Sequence, residues 1–253
     1  MRACFQPLTD PQWQILEEII DSKRKRVHCL RTILDGIIWI NQTGCQWRNM
    51  ESSFPPWQTV YYYFRKWQLE GFWEQCLDNI NAHVRKQAGR FETPSLLAMD
   101  SQSVKKTTFI HLETGVDGGK NINGRKRHIA VDTLGLPWAI AVTSAQTSDN
   151  EGGKLLIDQL GGKVPRVELL AVDNGYKVAF EEYAKKKGYR VEIAQRPPSK
   201  ERGFVPEKNR WMVERTFAWL NFRRRLSKEY ERTVESAKAM LEIAFISLLI
   251  NRI

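Results

Sequence analysis

The sequence predicts an α/β protein in two parts, an all-helical region over residues 1–90 followed by a mixed sheet with flanking helices over 91–253. Three observations carry this. Up to residue 87 the chain reads as helical and rich in Trp and Tyr. A polar stretch containing Gly, Pro and Ser, KQAGRFETPS (86–95), breaks that pattern. Beyond it, short apolar runs such as SLLAMD and VELLAVD alternate with helical segments.

The helical elements follow in order. LTDPQWQILEEII offers Thr9 or Asp10 as a cap, with Pro11 in the first turn. KRKRVHCLRTILDGIIWINQTG predicts a second helix ending at Gly44. After the Pro55-Pro56 break, WQTVYYYFRKWQLEG opens a third helix and FWEQCLDNINAHVRKQ a fourth. The third mixes aromatics with Arg65 and Lys66 behind a short turn, which suits the second helix of a helix-turn-helix. Thr59, Tyr62, Arg65 and Lys66 are its expected DNA contacts, and inward packing of the other rings is compatible with that role.

In the second part, SLLAMD is a strand and RKRHIAVDTLGLPWAIAVTSA two strands joined around DTLG. EGGKLLIDQLGG is helical, VELLAVD a strand, VAFEEYAKKKG a helix closed by Gly188, and YRVEIAQ a strand. RWMVERTFAWLNFRRRLSKEY predicts one long helix before the terminal one. Three strands, helix, strand, helix, strand, helix is the order of a ribonuclease-H-like domain.

Composition narrows the partner. Lys and Arg outnumber Asp and Glu by 39 to 29, a net charge of +10, which points to a polyanion and to nucleic acid before membrane. The most apolar stretch, AMLEIAFISLLINRI, contains Glu242 and is too short to span a bilayer, so a packed terminal helix is expected and no membrane partner. MRACFQPLTD lacks the apolar run of a signal peptide. Cys4, Cys29, Cys45 and Cys76 form no CxxC pair and no zinc spacing, consistent with reduced thiols and a cytoplasmic location.

The acids give the candidate chemistry. Asp100 closes the first strand of the second part and Asp173 the fourth, which are neighbours in such a sheet; Glu214 lies on the late helix. Three carboxylates packed together repel one another unless they hold a cation. Hard divalent ions prefer carboxylate oxygens, and a pair of ions serves phosphoryl transfer. Asp132, in the turn DTLG, and Asp149, before a helix, have local structural reasons as turn and cap residues. Arg210, four residues before Glu214, is placed to neutralise it or reach a phosphate. Arg223, Arg224 and Arg225 form a candidate phosphate grip, and Arg125, Lys126, Arg127 and His128 a candidate DNA-backbone contact.

The segments AMDSQSVK, GVDGGKNINGRKRHIAVDTLGLPWAIAVTSA, AVDNGY and RWMVERTFAWLNFRRRLSKEYE resemble the acid-triad transposases of bacterial insertion sequences, the IS-five-like branch. LTDPQWQILEEII, TGCQWRNM and FPPWQTVYYYFRKW resemble that branch's helical DNA-binding domain, so the likeness covers nearly the whole chain. It implies that Asp100, Asp173 and Glu214 hold two Mg²⁺ ions, with Mn²⁺ an accepted substitute, and that Arg210 is the arginine preceding the family's Glu. The chain departs from the family pattern at Asn174, Glu207 and Asn221, where Lys, Tyr and a basic residue are common. The implied activity is metal-dependent cleavage of terminal inverted repeats in double-stranded DNA, then joining of the 3′-hydroxyls to target DNA. Because two ends must be cut together, a homodimer is the economical assembly, and a nucleoid-associated location is expected. The rivals are a transposase-derived DNA-binding regulator without catalysis and a stand-alone nuclease.

Overall fold

The computed structural model describes residues 5–20, 26–193 and 210–253. Cys4 and Glu207 lie outside the described residues, as does the side chain of Arg210. Four helices come first: α1 (Asp10–Glu17), α2 (Leu30–Thr43), α3 (Trp57–Leu69) and α4 (Phe72–Gln87). Thr9 precedes α1, and its backbone N–H donates to the Gln12 side chain at 3.0 Å. Gly44 ends α2 in the left-handed conformation, φ +73°, as a helix-terminating glycine does. The second helix is shorter than expected, since residues 26–29 are not helical.

Six strands follow: β1 (Leu96–Lys105), β2 (Gly115–Asp117), β3 (Ile122–Val131), β4 (Pro137–Ser144), β5 (Leu169–Val172) and β6 (Arg190–Ile193). β1 is central, antiparallel to β3 and parallel to β5; β6 continues the parallel edge, while β2 and β4 both pair with β3. Helices α5 (Asp149–Leu160) and α6 (Val178–Lys186) are inserted before β5 and β6, and α7 (Arg210–Leu220) and α8 (Val234–Leu249) complete the chain. This is the mixed sheet of a ribonuclease-H-like fold behind an all-helical region. The three-residue β2 carries too little pattern to be read from sequence.

Strand alternation sends successive side chains to two different cores. Leu97, Met99, Leu170 and Val172 pack with Leu156, Leu160 and Phe180 of α5 and α6. Ala98, Ile129, Val131 and Ala171 face the other way, into a larger core shared with α7, α8 and the N-terminal helices. The center of that core is α8, whose residues from Ala239 to Ser247 are all buried. A helix apolar on every side belongs in an interior. It packs on α2, α3, α4 and β4 together, so both parts of the chain share one hydrophobic core.

The long helix expected over 210–230 is two pieces. α7 stops at Leu220, and residues 224–226 form a 3-10 turn. The turn lies on Gly44, where a Cβ would sit 3.1 Å from the Arg224 carbonyl carbon. Tertiary contact therefore overrides the helical pattern here.

A cluster of partly buried charges lies between α4, α8 and the loop after α5. Lys163 reaches Glu74 at 3.1 Å and Asp78 at 2.7 Å, while Lys238 reaches Glu74 at 2.8 Å and Glu242 at 3.5 Å. Three carboxylates share two ammoniums, so not all of them are held in the charged form equally well. Burial pushes Glu242 up to about 7 and Asp78 up to about 6, whereas the two lysines overcome burial at Glu74 and hold it low.

Two predictions follow from this packing. Leu241→Ala is expected to cost about 2–5 kcal/mol and to leave a single cooperative transition in urea, monitored by both tryptophan fluorescence and circular dichroism. Two separated transitions would contradict the shared core. Between its ordinary value and about 7, Glu242 binds more protons folded than unfolded, so its contribution is full at low pH and lost as pH rises through about 7. The melting temperature of Glu242→Gln relative to wild type should therefore rise from pH 5.5 to pH 8.

Candidate active site

Asp100 sits within β1, opposite Ile129 of β3. On its other side, β1 and β5 pair in the register Leu96↔Leu169, Leu97↔Leu170 and Ala98↔Ala171. Continued by two residues, that register sets Asp100 level with Asp173, the first residue after β5. Both are half-buried. Asp173 turns the chain, its carboxylate accepting the Gly175 N–H at 2.9 Å, and Asp100 accepts the Ser101 N–H at 2.7 Å. β1 continues five residues past Asp100, to Lys105, because it stays paired with β3, which corrects the expectation that Asp100 closes its strand. Asp100 still lies level with the carboxyl end of β5, where open α/β sheets place their ligands.

A further carboxylate comes to this place. Asp149, the first residue of α5, does not cap its own helix; Ser148 does, accepting from Glu151 N–H. Asp149 instead accepts the Ser101 hydroxyl at 2.6 Å and the Lys126 ammonium at 3.3 Å. A Cβ on Gly175 would lie 2.9 Å from Asp173 Oδ1 and 3.4 Å from Asp149 Oδ2, so both carboxylates border the same spot. Beside them the Tyr176 hydroxyl is buried and has no hydrogen-bond partner among the described residues. Burial, reinforced by the charges of Asp100, Asp149 and Asp173, holds that hydroxyl well above its usual range. The signal for Asp149 was present in SDNEGG, but a helix-start Asp reads as a cap until the fold folds it back on β1.

Glu214 is exposed on α7, the helix that packs across β1 and β3. Among the described residues, no three His, Cys, Asp or Glu side chains are gathered closely enough to hold an ion as they stand.

Most of the basic residues expected on DNA are placed otherwise. Arg125, Lys126, Arg127 and His128 lie inside β3, buried, and this corrects their reading as a DNA-backbone contact. The reason is that β3 is flanked by β1 and β4 and covered on both faces. Arg125 gives its guanidinium to the carbonyls of Leu112, Glu231, Arg232 and Thr233, and Arg127 donates to the Leu226 carbonyl. Lys126 and His128 point to the opposite face, where Lys126 donates to Thr147 O at 2.9 Å. Burial pushes His128 down to about 4, and its ring lies where any side chain on Gly152 would collide.

The arginines after α7 are split. Arg223 is buried and donates to Gln42, Arg225 is held by Glu231 and the Cys45 carbonyl, and Arg224 is exposed. On α3, Tyr62 is exposed, while Thr59, Tyr62 and Lys66 line a concavity with Arg26 and His28. Arg65 turns the other way, to Gln68 and Ser236.

Known families account for this arrangement. The model of the transposase DDE domain matches residues 92–250, and that of a putative transposase of the IS4/5 family matches residues 8–77. The chain belongs to the DDE transposase family. It is 34% identical to a protein named putative transposase for insertion sequence element IS402, from Burkholderia cepacia, over 47% of this chain and 60% of that protein's length. Among the described residues of this DDE-family chain, no helix is long and apolar enough to cross a membrane.

Not every acid of the transposase fold serves the site. Asp132 is fully buried and accepts Leu134 N–H at 2.8 Å, Leu136 N–H at 3.0 Å and Trp138 Nε1–H at 3.3 Å, besides pairing with Arg85 of α4. It ties the β3–β4 turn to the N-terminal helices, the structural role its turn position suggested. Asp132→Ala is expected to cost about 3–5 kcal/mol in denaturant unfolding, because Arg85 is left buried and unpaired. Asp173→Ala, which removes a half-buried charge from among like charges, should cost about 1 kcal/mol or less.

Proposed function

We propose that the chain is a DNA transposase that cuts the ends of an insertion sequence and joins them to target DNA. The observation that carries this reading is the parallel β1–β5 register that levels Asp100 with Asp173 in a DDE-family chain. In the first step water attacks the phosphorus at each element end, the P–O3′ bond breaks, and the 3′-hydroxyl is released. In the second, that hydroxyl attacks a target phosphodiester in line, and the displaced 3′-oxygen leaves. No covalent protein–DNA intermediate forms, and no Ser or Tyr nucleophile is required.

The residues present suit a divalent cation. Their donors are carboxylate oxygens, the choice of Mg²⁺ and Mn²⁺, and the Tyr176 hydroxyl, unpartnered among the described residues, marks a polar spot beside them. Asp100 and Asp173 would hold the metals, and Glu214 on α7 would complete the set. Two such ions, when bound, supply an activated oxygen nucleophile and stabilise the leaving oxygen. The protein's own part is to fix Asp100 within β1 and Asp173 just after β5 on a rigid sheet, while the buried Lys126 ammonium pairs with Asp149 beside them.

The N-terminal helices, residues 1–90, bind the terminal repeats, with Thr59, Tyr62 and Lys66 facing DNA and Arg210 and Arg224 gripping phosphate. A homodimer brings two ends together for concerted cutting.

The test is cleavage of a labelled duplex carrying the terminal repeat, in Mg²⁺. Wild type should nick at the repeat edge, and Asp100→Asn, Asp173→Asn and Glu214→Gln should each lower the rate by about a hundredfold or more, about 2.7 kcal/mol of barrier. Tight binding without cleavage by wild type would instead identify a regulator, and cleavage without joining a nuclease.

A further inference from the structure

Between α3 and the segment leading into α8 lies a cavity of about 670 Å³. It is separate from the acids, and both parts of the chain build it. Gln46 to Arg65 line one side, Arg225 to Ser236 the other, and Leu112 joins them at the wall. Its lining combines aromatic rings, Trp47, Trp57, Tyr61 and Tyr230, with four arginines, Arg48, Arg65, Arg225 and Arg232. One carboxylate, Glu231, stands against those four cations and is paired with Arg225 at 2.7 Å.

We propose that this cavity receives one unpaired nucleotide of a DNA strand, its base against the rings and its phosphates on the arginines. The inference rests on the transposase reading only in taking DNA as the ligand.

The cavity is built for the purpose. Arg125, fully buried, donates to the carbonyls of Leu112, Glu231, Arg232 and Thr233 at 2.9–3.1 Å, and all four residues line the cavity. One guanidinium, with five donors in a fixed fork, thus sets the shape of an entire wall. Arg65 is fixed by Ser236 at 3.1 Å and Arg225 by the Cys45 carbonyl at 3.1 Å, so each bridges the two parts of the chain. The Arg48 guanidinium lies 5.7 Å from the Trp57 ring centroid, and that of Arg225 lies 5.7 Å from the Tyr230 centroid. Cations beside aromatic faces are the usual surroundings of a stacked base and its phosphate.

The chemistry selects among ligands. A bare anion has no use for the rings, and an apolar molecule none for four guanidiniums. Paired DNA keeps its base faces stacked inside the duplex, so the rings can reach only an unpaired base. The volume is in the range of small-ligand sites and exceeds what one side chain fills.

The test uses the full chain and three probes. Two are read by anisotropy: a dye-labelled blunt duplex and the same labelled duplex with a two-nucleotide single-stranded extension carrying 2-aminopurine. The third is free deoxyadenosine monophosphate, read by its competition with the extended duplex. The extended duplex should bind more tightly than the blunt one, with its 2-aminopurine quenched. Trp57→Ala and Tyr230→Ala should weaken the extended duplex about tenfold or more, leave the blunt duplex within about twofold, and abolish the quenching. Tyr230→Phe, which keeps the ring, should retain the wild-type preference and guards against a folding defect. Equal affinity of wild type for both duplexes with unquenched 2-aminopurine overturns the proposal while leaving DNA binding intact. Free nucleotide binding as tightly as the extended duplex also overturns it, assigning the cavity to a mononucleotide. Failure of wild type to bind either duplex would instead defeat the DNA reading itself.

Discussion

The structure depends first on the burial of α8. Its sequence is apolar on every side, so it cannot lie on a surface without exposing a broad hydrophobic face. Packed in the interior, it takes the N-terminal helices on one side and β4 of the sheet on the other. Asn41 of α2 donates to the Met240 carbonyl at 2.9 Å, fixing one helix against the other inside the core. Because both parts share this helix, the aromatic and basic residues of α3 come to face the segment after α7. The arginine-lined cavity is a product of that junction and belongs to neither part alone.

The second constraint is the placement of β1. As a central strand it pairs with β3 in one direction and β5 in the other, and its register with β5 is set by the alternation of Leu97, Ala98, Leu170 and Ala171 between two cores. A slip of one residue would reverse every one of these side chains, so the register is firmly determined. Asp100 and Asp173 inherit their alignment from that apolar packing. Asp149 reaches them because α5 starts at this end of the sheet, and Gly152 lets α5 approach β3 closely enough for His128 to fit beneath it.

Charge in this protein divides by depth. Net charge suggested a strongly basic surface, yet Arg125, Lys126, Arg127 and Arg223 are spent inside, on backbone carbonyls, an acidic side chain and an amide. Burying an arginine is costly unless its donors are satisfied, and Arg125 offsets most of that cost by giving its two terminal nitrogens to four carbonyls. The polyanion-binding reading thus rests on fewer residues than a count of cations implies. Arg48, Arg224 and Arg232 remain exposed.

The sequence by itself determined the order of elements, the four N-terminal helices, the burial of the terminal helix and the position of Asp173 at the end of a strand that pairs with the one carrying Asp100. Those features follow from local periodicity, from caps such as Gly44 and from apolar runs that stop at an acid, all of which are written within a few residues. Only the tertiary structure decided that RKRH is interior, since a charged run looks the same in sequence whether or not two neighbouring strands and two layers of helix cover it. The same holds for α7, which ends at Leu220 because the next turn must lie on Gly44, and for Asp149, whose helix-cap appearance hides a side chain committed to Ser101 and Lys126. These are contacts between residues far apart in the chain, and local pattern carries no record of them.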